Sequence, residues 1–135
     1  MNTFKLEIIA TDRIFFQGES EMTVLPAIDG EQGILAGHEA TVVALQAGEM
    51  RYTVAGQERI AVIGDGFAEV MPDRVIVLAD FAEKPEEIDV LRAEQEKILA
   101  EEAMQMQKSR MEYIQSRVQL ARALTELQAA KRYLR

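Results

Sequence analysis

Between residues 86 and 135 the chain contains neither glycine nor proline, whereas the first 85 residues hold all eight glycines and all three prolines. The glycine-free stretch is built of Ala, Glu, Gln, Arg, Leu and Met, all strong helix formers. Pro85 suits the first position of a helix, where its missing N–H costs nothing, and Glu86 and Glu87 favour the positive end of the helix dipole. The sequence thus predicts two parts joined at one short boundary near residues 82–85: a sheet module over 1–84 and a helical arm over 85–135.

Apolar residues in the first half of the arm recur at Ile88, Leu91, Ile98, Leu99, Ala103 and Met106. In the second half they form a cleaner stripe at Met111, Ile114, Val118, Ala121, Leu124, Leu127 and Leu134. Ser109 followed by Glu112 is a capping-box signature that can start a second helix. The pattern permits an antiparallel hairpin turning near 107–109 or a nearly continuous extended arm, and propensity alone does not choose. A narrow apolar stripe has to be buried on the sister helix or on a partner. Charge divides the arm as well. Residues 83–102 carry eight acids against three bases, and residues 103–135 carry seven bases against two acids. Opposite signs attract in a hairpin, and a detached basic helix seeks an acidic surface.

The first part reads as strands. Residues 3–9 place Phe4, Leu6 and Ile8 on one face and Lys5 and Glu7 on the other. Further short strands are expected at 14–16, 21–25, 34–35, 41–45, 50–54, 59–63, 67–71 and 74–79. Ala55-Gly56-Gln57 forms a hairpin signal between two of them, and Val75 to Leu78 read as a buried strand. So many short strands between tight turns predict an antiparallel sandwich or flattened barrel, making the whole chain α+β.

Composition excludes several chemistries. A net charge of −8 argues against nucleic-acid binding, and the absence of cysteine removes disulfides, thiol catalysis and thiolate metal sites. No apolar run reaches the 18 or so residues of a membrane span, and the N-terminus lacks a signal-peptide pattern, so a soluble intracellular protein is expected. His38 is the sole histidine and has no convergent partners for a triad or a metal. Gly30, Gly33 and Gly37 lack the Lys-Ser/Thr of a phosphate loop and read as turn glycines, with Asp29 and Glu31 as solvated loop acids. Asp89 and Arg92, three apart on a helix, suit an intrahelical ion pair, or a shared ligand that Arg122 joins only if the arm folds back.

Five segments together carry a family resemblance. They are Phe16-x-Gly18-Glu19, Pro26-x-x-x-Gly30-Glu31-x-Gly33-Ile34-Leu35-x-Gly37-His38, Gly64-x-Gly66-Phe67-x-Glu69-Val70, Val77-Leu78-Ala79 and Ile88-Asp89-x-x-Arg92-Ala93. In this order and spacing the chain resembles, over its whole length, the epsilon subunit of bacterial and chloroplast F-type ATP synthases. Ala27 and Ala36 depart from the glycine and proline usual in that family. The resemblance implies a non-catalytic central-stalk subunit that couples ion flow to ATP synthesis, peripheral on the cytoplasmic face of the bacterial membrane. It implies a β-sandwich that meets the c-ring through Asp29, Gly30, Glu31 and Gln32 and the gamma subunit near His38. It also implies a two-helix domain that packs as a hairpin or extends to inhibit ATP hydrolysis. In the extended state a basic face of Lys108, Arg110, Arg117, Arg122, Lys131 and Arg132 meets acidic segments of the catalytic beta subunits. No cofactor is required. ATP enters as a regulatory ligand of Glu83, Ile88, Asp89, Arg92, Ala93 and Arg122, weakened because Leu99 and Glu126 stand where further positive charge helps. A different class of reading is a free-standing sandwich adaptor whose arm pairs with a partner coiled coil.

Overall fold

Alternation of apolar and polar residues builds the first unit, which runs through Lys84. A computed structural model describes residues 2–106 and 109–134. Nine strands follow one another: β1 (Phe4–Ala10), β2 (Ile14–Ser20), β3 (Met22–Ala27), β4 (Gly30–Leu35), β5 (Thr41–Leu45), β6 (Gly48–Val54), β7 (Gln57–Ile63), β8 (Gly66–Val70) and β9 (Arg74–Ala79). A two-residue β10 (Ala82–Glu83) then pairs with β7. The hydrogen-bonded order is β10-β7-β6-β3-β5-β8-β9-β1-β2, with β4 added on β3. The halves of this path join at a single β3–β5 pair, Ala27 with Leu45. They enclose a core that includes Leu6, Ile8, Leu25, Ile34, Met50, Ile63, Val70 and Val77. Phe16 of β2 and Tyr52 of β6 close one side, their ring centroids 4.9 Å apart.

Three expectations need correction. The sandwich is not wholly antiparallel, because β1 pairs with β9 in parallel, Leu6 opposite Val75 and Ile8 opposite Val77. The strand expected at 34–35 is the six-residue β4, because the whole of it ladders onto β3 from Met22↔Leu35 to Ala27↔Gly30. Only alternate residues of β9 are buried (Val75, Val77 and Ala79), so Ile76 and Leu78 face outward.

Two turns and one close strand contact fix the register. Ile28 and Asp29 join β3 to β4, and Gly30 follows at φ +126°, a conformation that L side chains rarely adopt. Ala55 (φ 50°) and Gly56 (φ 78°) join β6 to β7. Positive φ at both central residues is the type I′ turn that matches strand twist, and Glu21 Oε1 accepts the Gly56 N–H at 2.8 Å. At Gly66 there is no room for a side chain, since a Cβ would collide with the Leu78 carbonyl oxygen. Ser20 and Thr23 are buried polar residues, and the Ser20 Oγ lies 2.9 Å from the carbonyl oxygens of both Met22 and Thr53, which share its single O–H. That satisfaction keeps a buried hydroxyl from becoming a liability.

The second unit begins at Pro85. Here the sequence reading of the helix start is wrong by one turn. Pro85–Glu87 is a separate 3₁₀ turn closed by Ile88 N–H to the Pro85 carbonyl at 3.2 Å. The helix α1 (Val90–Met106) starts behind Asp89, whose Oδ1 accepts the Arg92 N–H at 3.1 Å and whose carbonyl accepts the Ala93 N–H at 2.9 Å. Asp89 is therefore the N-cap. Helix α2 (Arg110–Tyr133) starts as expected, Ser109 Oγ accepting the Glu112 N–H at 3.1 Å. A groove lined by Val90, Glu94 and Ile98 of α1 and by Leu127, Lys131 and Leu134 of α2 places the helices side by side and antiparallel.

Two substitutions check the sandwich. Ala55→Asn is expected to stabilise it by about 0.5 kcal/mol in urea unfolding, since asparagine tolerates the left-handed region that costs other L residues about 1–2 kcal/mol. Gly66→Ala is expected to destabilise it by about 1–3 kcal/mol, because the β8–β9 backbones must separate to admit the methyl group.

Candidate functional site

Three surfaces gather the residues singled out in the sequence. The first is the β3–β4 hairpin. Asp29, Gly30 and Glu31 are exposed at its end and Gln32 is half-buried. Glu31 is not simply solvated, as Arg51 Nη1 of β6 lies 3.0 Å from its Oε2. That contact braces the protruding hairpin while leaving the carboxylate accessible. Ile28, exposed at the tip, gives the loop an apolar end that went unremarked in the sequence.

The second surface lies on the outer face of β5, β8, β9 and β1. His38 stands half-buried just before β5, its Nδ1 2.7 Å from the Glu39 carbonyl oxygen. Along the neighbouring strands Ala44 pairs with Phe67, Phe67 with Leu78, Leu78 with Ile9, and Ile9 with Ile14 of β2. Phe67, Leu78 and Ile14 are exposed, so an apolar row crosses five strands. It was missed in the sequence because each strand contributes a single outward residue, and only register aligns them.

The third surface is the helical unit. Of the residues assigned to a nucleotide, Glu83 belongs to β10 of the sandwich unit, whereas Ile88 and Asp89 lie just before α1, Arg92 and Ala93 in α1 and Arg122 in α2. Ile88 and Ala93 are buried. Asp89 and Arg92 do not form the ion pair expected, because the Asp89 carboxylate caps the backbone. The Arg92 guanidinium instead donates to Glu96 Oε1 at 2.8 Å. That hydrogen bond raises the Arg92 pKa, and the charges of Glu96, Glu126 and Asp89 act in the same direction. Arg122 Nε lies 3.8 Å from Glu126 Oε1. Each arginine thus has a carboxylate of its own helix beside it. Among the described residues no group of acids and histidine is arranged to hold a metal ion.

Of the two places open to the apolar stripe of α2, the sister helix is not the one it takes. The buried residues of α2 are Ser116, Ala123, Glu126, Ala129 and Ala130, and those of α1 are Ala93 and Ala100. Met111, Ile114 and Val118 of the stripe are 69%, 50% and 55% exposed. Small residues win the seam because they let two helix backbones approach closely, and larger side chains are turned outward. Of the basic residues expected beside the stripe, Arg110 and Arg117 are exposed, Arg122 is half-buried, and Lys131 and Arg132 lie exposed in the last turn. Lys108 lies outside the described residues.

Asp89→Ala is expected to cost the helical unit about 1 kcal/mol, with Asp89→Asn nearly neutral, read from the loss of helical circular dichroism in urea. A larger loss with asparagine than with alanine would assign Asp89 a charge role rather than a cap.

Comparison with known proteins agrees with this division of the chain. Residues 3–85 match the family model described as ATP synthase, Delta/Epsilon chain, beta-sandwich domain, and residues 86–131 match its long alpha-helix domain. The ATP synthase epsilon chain of Ruminiclostridium cellulolyticum is 46% identical over 132 residues, covering 98% of each chain. That of Herpetosiphon aurantiacus is 40% identical, covering 94% of this chain and 93% of its own. Among solved structures, the cryo-EM structure of the Euglena gracilis mitochondrial ATP synthase OSCP/F1/c-ring assembly holds a chain that matches with a TM-score of 0.77 at 27% identity. The match covers 96% of this chain and 81% of that one. With both domains matched in order and curated relatives similar from end to end, this chain belongs to the ATP synthase epsilon chain family.

Proposed function

We propose that this chain is a non-catalytic rotor subunit whose sandwich docks it in the central stalk and whose helical arm restrains ATP hydrolysis. Full-length likeness to epsilon chains supports the rotor role. For the sandwich, the apolar row around Phe67 and Leu78 is the surface offered to the gamma subunit, while His38 stands farther along the same strands, beside Gln32 and Gly33. The braced hairpin of Ile28, Asp29, Gly30, Glu31 and Gln32 is the surface offered to the c-ring. Such an assembly places the chain on the cytoplasmic face of the bacterial membrane without crossing it. Among the described residues no helix is long and apolar enough to span one.

One observation carries the arm's role: its large apolar side chains remain outside the hairpin. Met111, Ile114 and Val118 lie on one face of α2 near Arg110 and Arg117. Burying a side chain such as Ile or Val fully is worth about 1.5–3 kcal/mol, which the hairpin does not collect. An acidic, apolar-lined partner surface on the beta subunits collects it when the arm extends. ATP has only a minor part in this reading, because Glu96 and Glu126 compete with a triphosphate for Arg92 and Arg122.

In a reconstituted synthase, Ile114→Asp with Val118→Asp is expected to abolish inhibition of ATP hydrolysis while leaving the isolated hairpin intact. Inhibition that persists in this variant overturns the arm's role. Phe67→Asp is expected to weaken binding to gamma by tenfold or more, roughly the loss of an interface hot spot. Calorimetry checks the nucleotide reading, and a submillimolar affinity for ATP would refute it.

A further inference from the structure

Two aspartates of this chain are followed directly by glycine: Asp29-Gly30 where β3 turns into β4, and Asp65-Gly66 at the entry to β8. At such a step a chain can rearrange without an enzyme. The glycine amide nitrogen attacks the aspartate side-chain carboxyl carbon, an N–C bond forms, and the carboxyl hydroxyl leaves with the amide proton as water. Water then reopens the five-membered imide at its α-carbonyl carbon, breaking that carbon's bond to nitrogen, so the chain continues through the side-chain carboxyl as isoaspartate. The water lost is regained, and no oxidant or co-reactant enters. Glycine favours the attack because no Cβ crowds the nitrogen and its backbone turns freely.

Solvent access does not separate the two steps, since Asp29 and Asp65 are both exposed. Backbone restraint does. Asp65 Oδ1 accepts the Ala47 N–H at 2.8 Å, and the Asp65 carbonyl accepts the Asp80 N–H at 2.9 Å. Gly66 is laddered on both sides, to Leu45 of β5 and Ala79 of β9, and is packed so closely on β9 that a Cβ has no room. Closing the imide there requires the β5–β8–β9 ladder to open first.

Gly30 is laddered to Ala27 alone, because β4 is attached to the sheet only through β3. Nothing stands within 4 Å of where a Cβ on Gly30 would be. The hairpin is anchored on either side of this step. Before it, the Ile28 N–H donates to the Ala44 carbonyl at 3.1 Å, and after it Glu31 meets Arg51 at 3.0 Å. Between these anchors the Asp29–Gly30 peptide lies at an exposed tip, where local opening costs least.

We propose that Asp29-Gly30 is a site of spontaneous isoaspartate formation, and that the fold shields Asp65-Gly66 from the same reaction. The product carries one more methylene in the backbone of a two-residue turn, and its carboxylate moves from the side chain to the α-carbon. The tip between Ala27 and Glu31 thereby changes shape and the position of its charge without changing mass. This chemistry belongs to the isolated chain and stands apart from the assignment of the hairpin to the c-ring.

The full-length protein is incubated warm at neutral pH over several weeks, then digested and read by electron-transfer fragmentation, which distinguishes isoaspartate from aspartate at each position. Isoaspartate is expected to accumulate at Asp29 at least about tenfold faster than at Asp65, the advantage of an opening tip over a laddered strand. In urea, with the ladder gone, the two rates are expected to converge. Asp29→Glu, whose longer side chain closes a six-membered ring far less readily, is expected to lose the signal at that position and keep the slow one at Asp65. Comparable rates in the folded chain, or no rise at Asp29 over the fresh protein, overturn the proposal. A ratio that persists in urea also overturns it, since the difference then lies in the neighbouring sequence and not in the fold. Binding to a c-ring is not part of the readout, so failure of that assignment leaves this result standing, and the reverse.

Discussion

Close approach of two helices through alanine governs the second half of this protein. When Ala93, Ala100, Ala123 and Ala130 occupy the contact, backbones can come near enough that bulky residues have no place between them. Every long aliphatic side chain on α2's opposite face is thereby assigned to some other surface. The hairpin trades buried area for proximity, and the arm keeps an unspent capacity for apolar contact. This is the reverse of an ordinary amphipathic hairpin, where the greasiest stripe defines the interface.

The sandwich follows the opposite logic. Its interior is filled by large side chains contributed alternately from both halves of the strand path, and its buried hydroxyl at Ser20 is bonded. Rigidity there serves to hold surface features in place. The row from Ala44 to Ile14 exists only because five strands keep register, and the Arg51–Glu31 contact matters because it ties a projecting loop to the sheet beneath it. A firm platform of this kind suits a subunit of a turning shaft.

Much of the sandwich was legible in the sequence because period-two alternation is a local signal: Phe4, Leu6 and Ile8 declare their face without reference to any other strand. The parallel partnership of β1 and β9 was not legible, since nothing in either strand names the other. In the arm, Ser109 and Glu112 announced a helix start through a three-residue rule and the structure has it. Pro85 misled because its fixed φ suits a 3₁₀ turn as well as a helix, and the carboxylate four residues later claimed the cap. The stripe left the helix seam undecided for a deeper reason. Hydropathy ranks Ile114 and Val118 above Ala123 and Ala130, whereas the contact is decided by size. A repeat of alanines at seven-residue spacing was the signal that could have revealed the seam.

The pairing of the first strand with the ninth has a consequence for biogenesis. β1 leaves the ribosome first, yet its second neighbour in the sheet, β9, is among the last strands of the domain to be made. Until Arg74–Ala79 has emerged, Leu6 and Ile8 lack half of their ladder, so closure of the domain waits on a long-range contact of the slow kind. The helices are synthesised only after that. A nascent chain of this fold must therefore shelter an incomplete sheet edge until its ninth strand has been made.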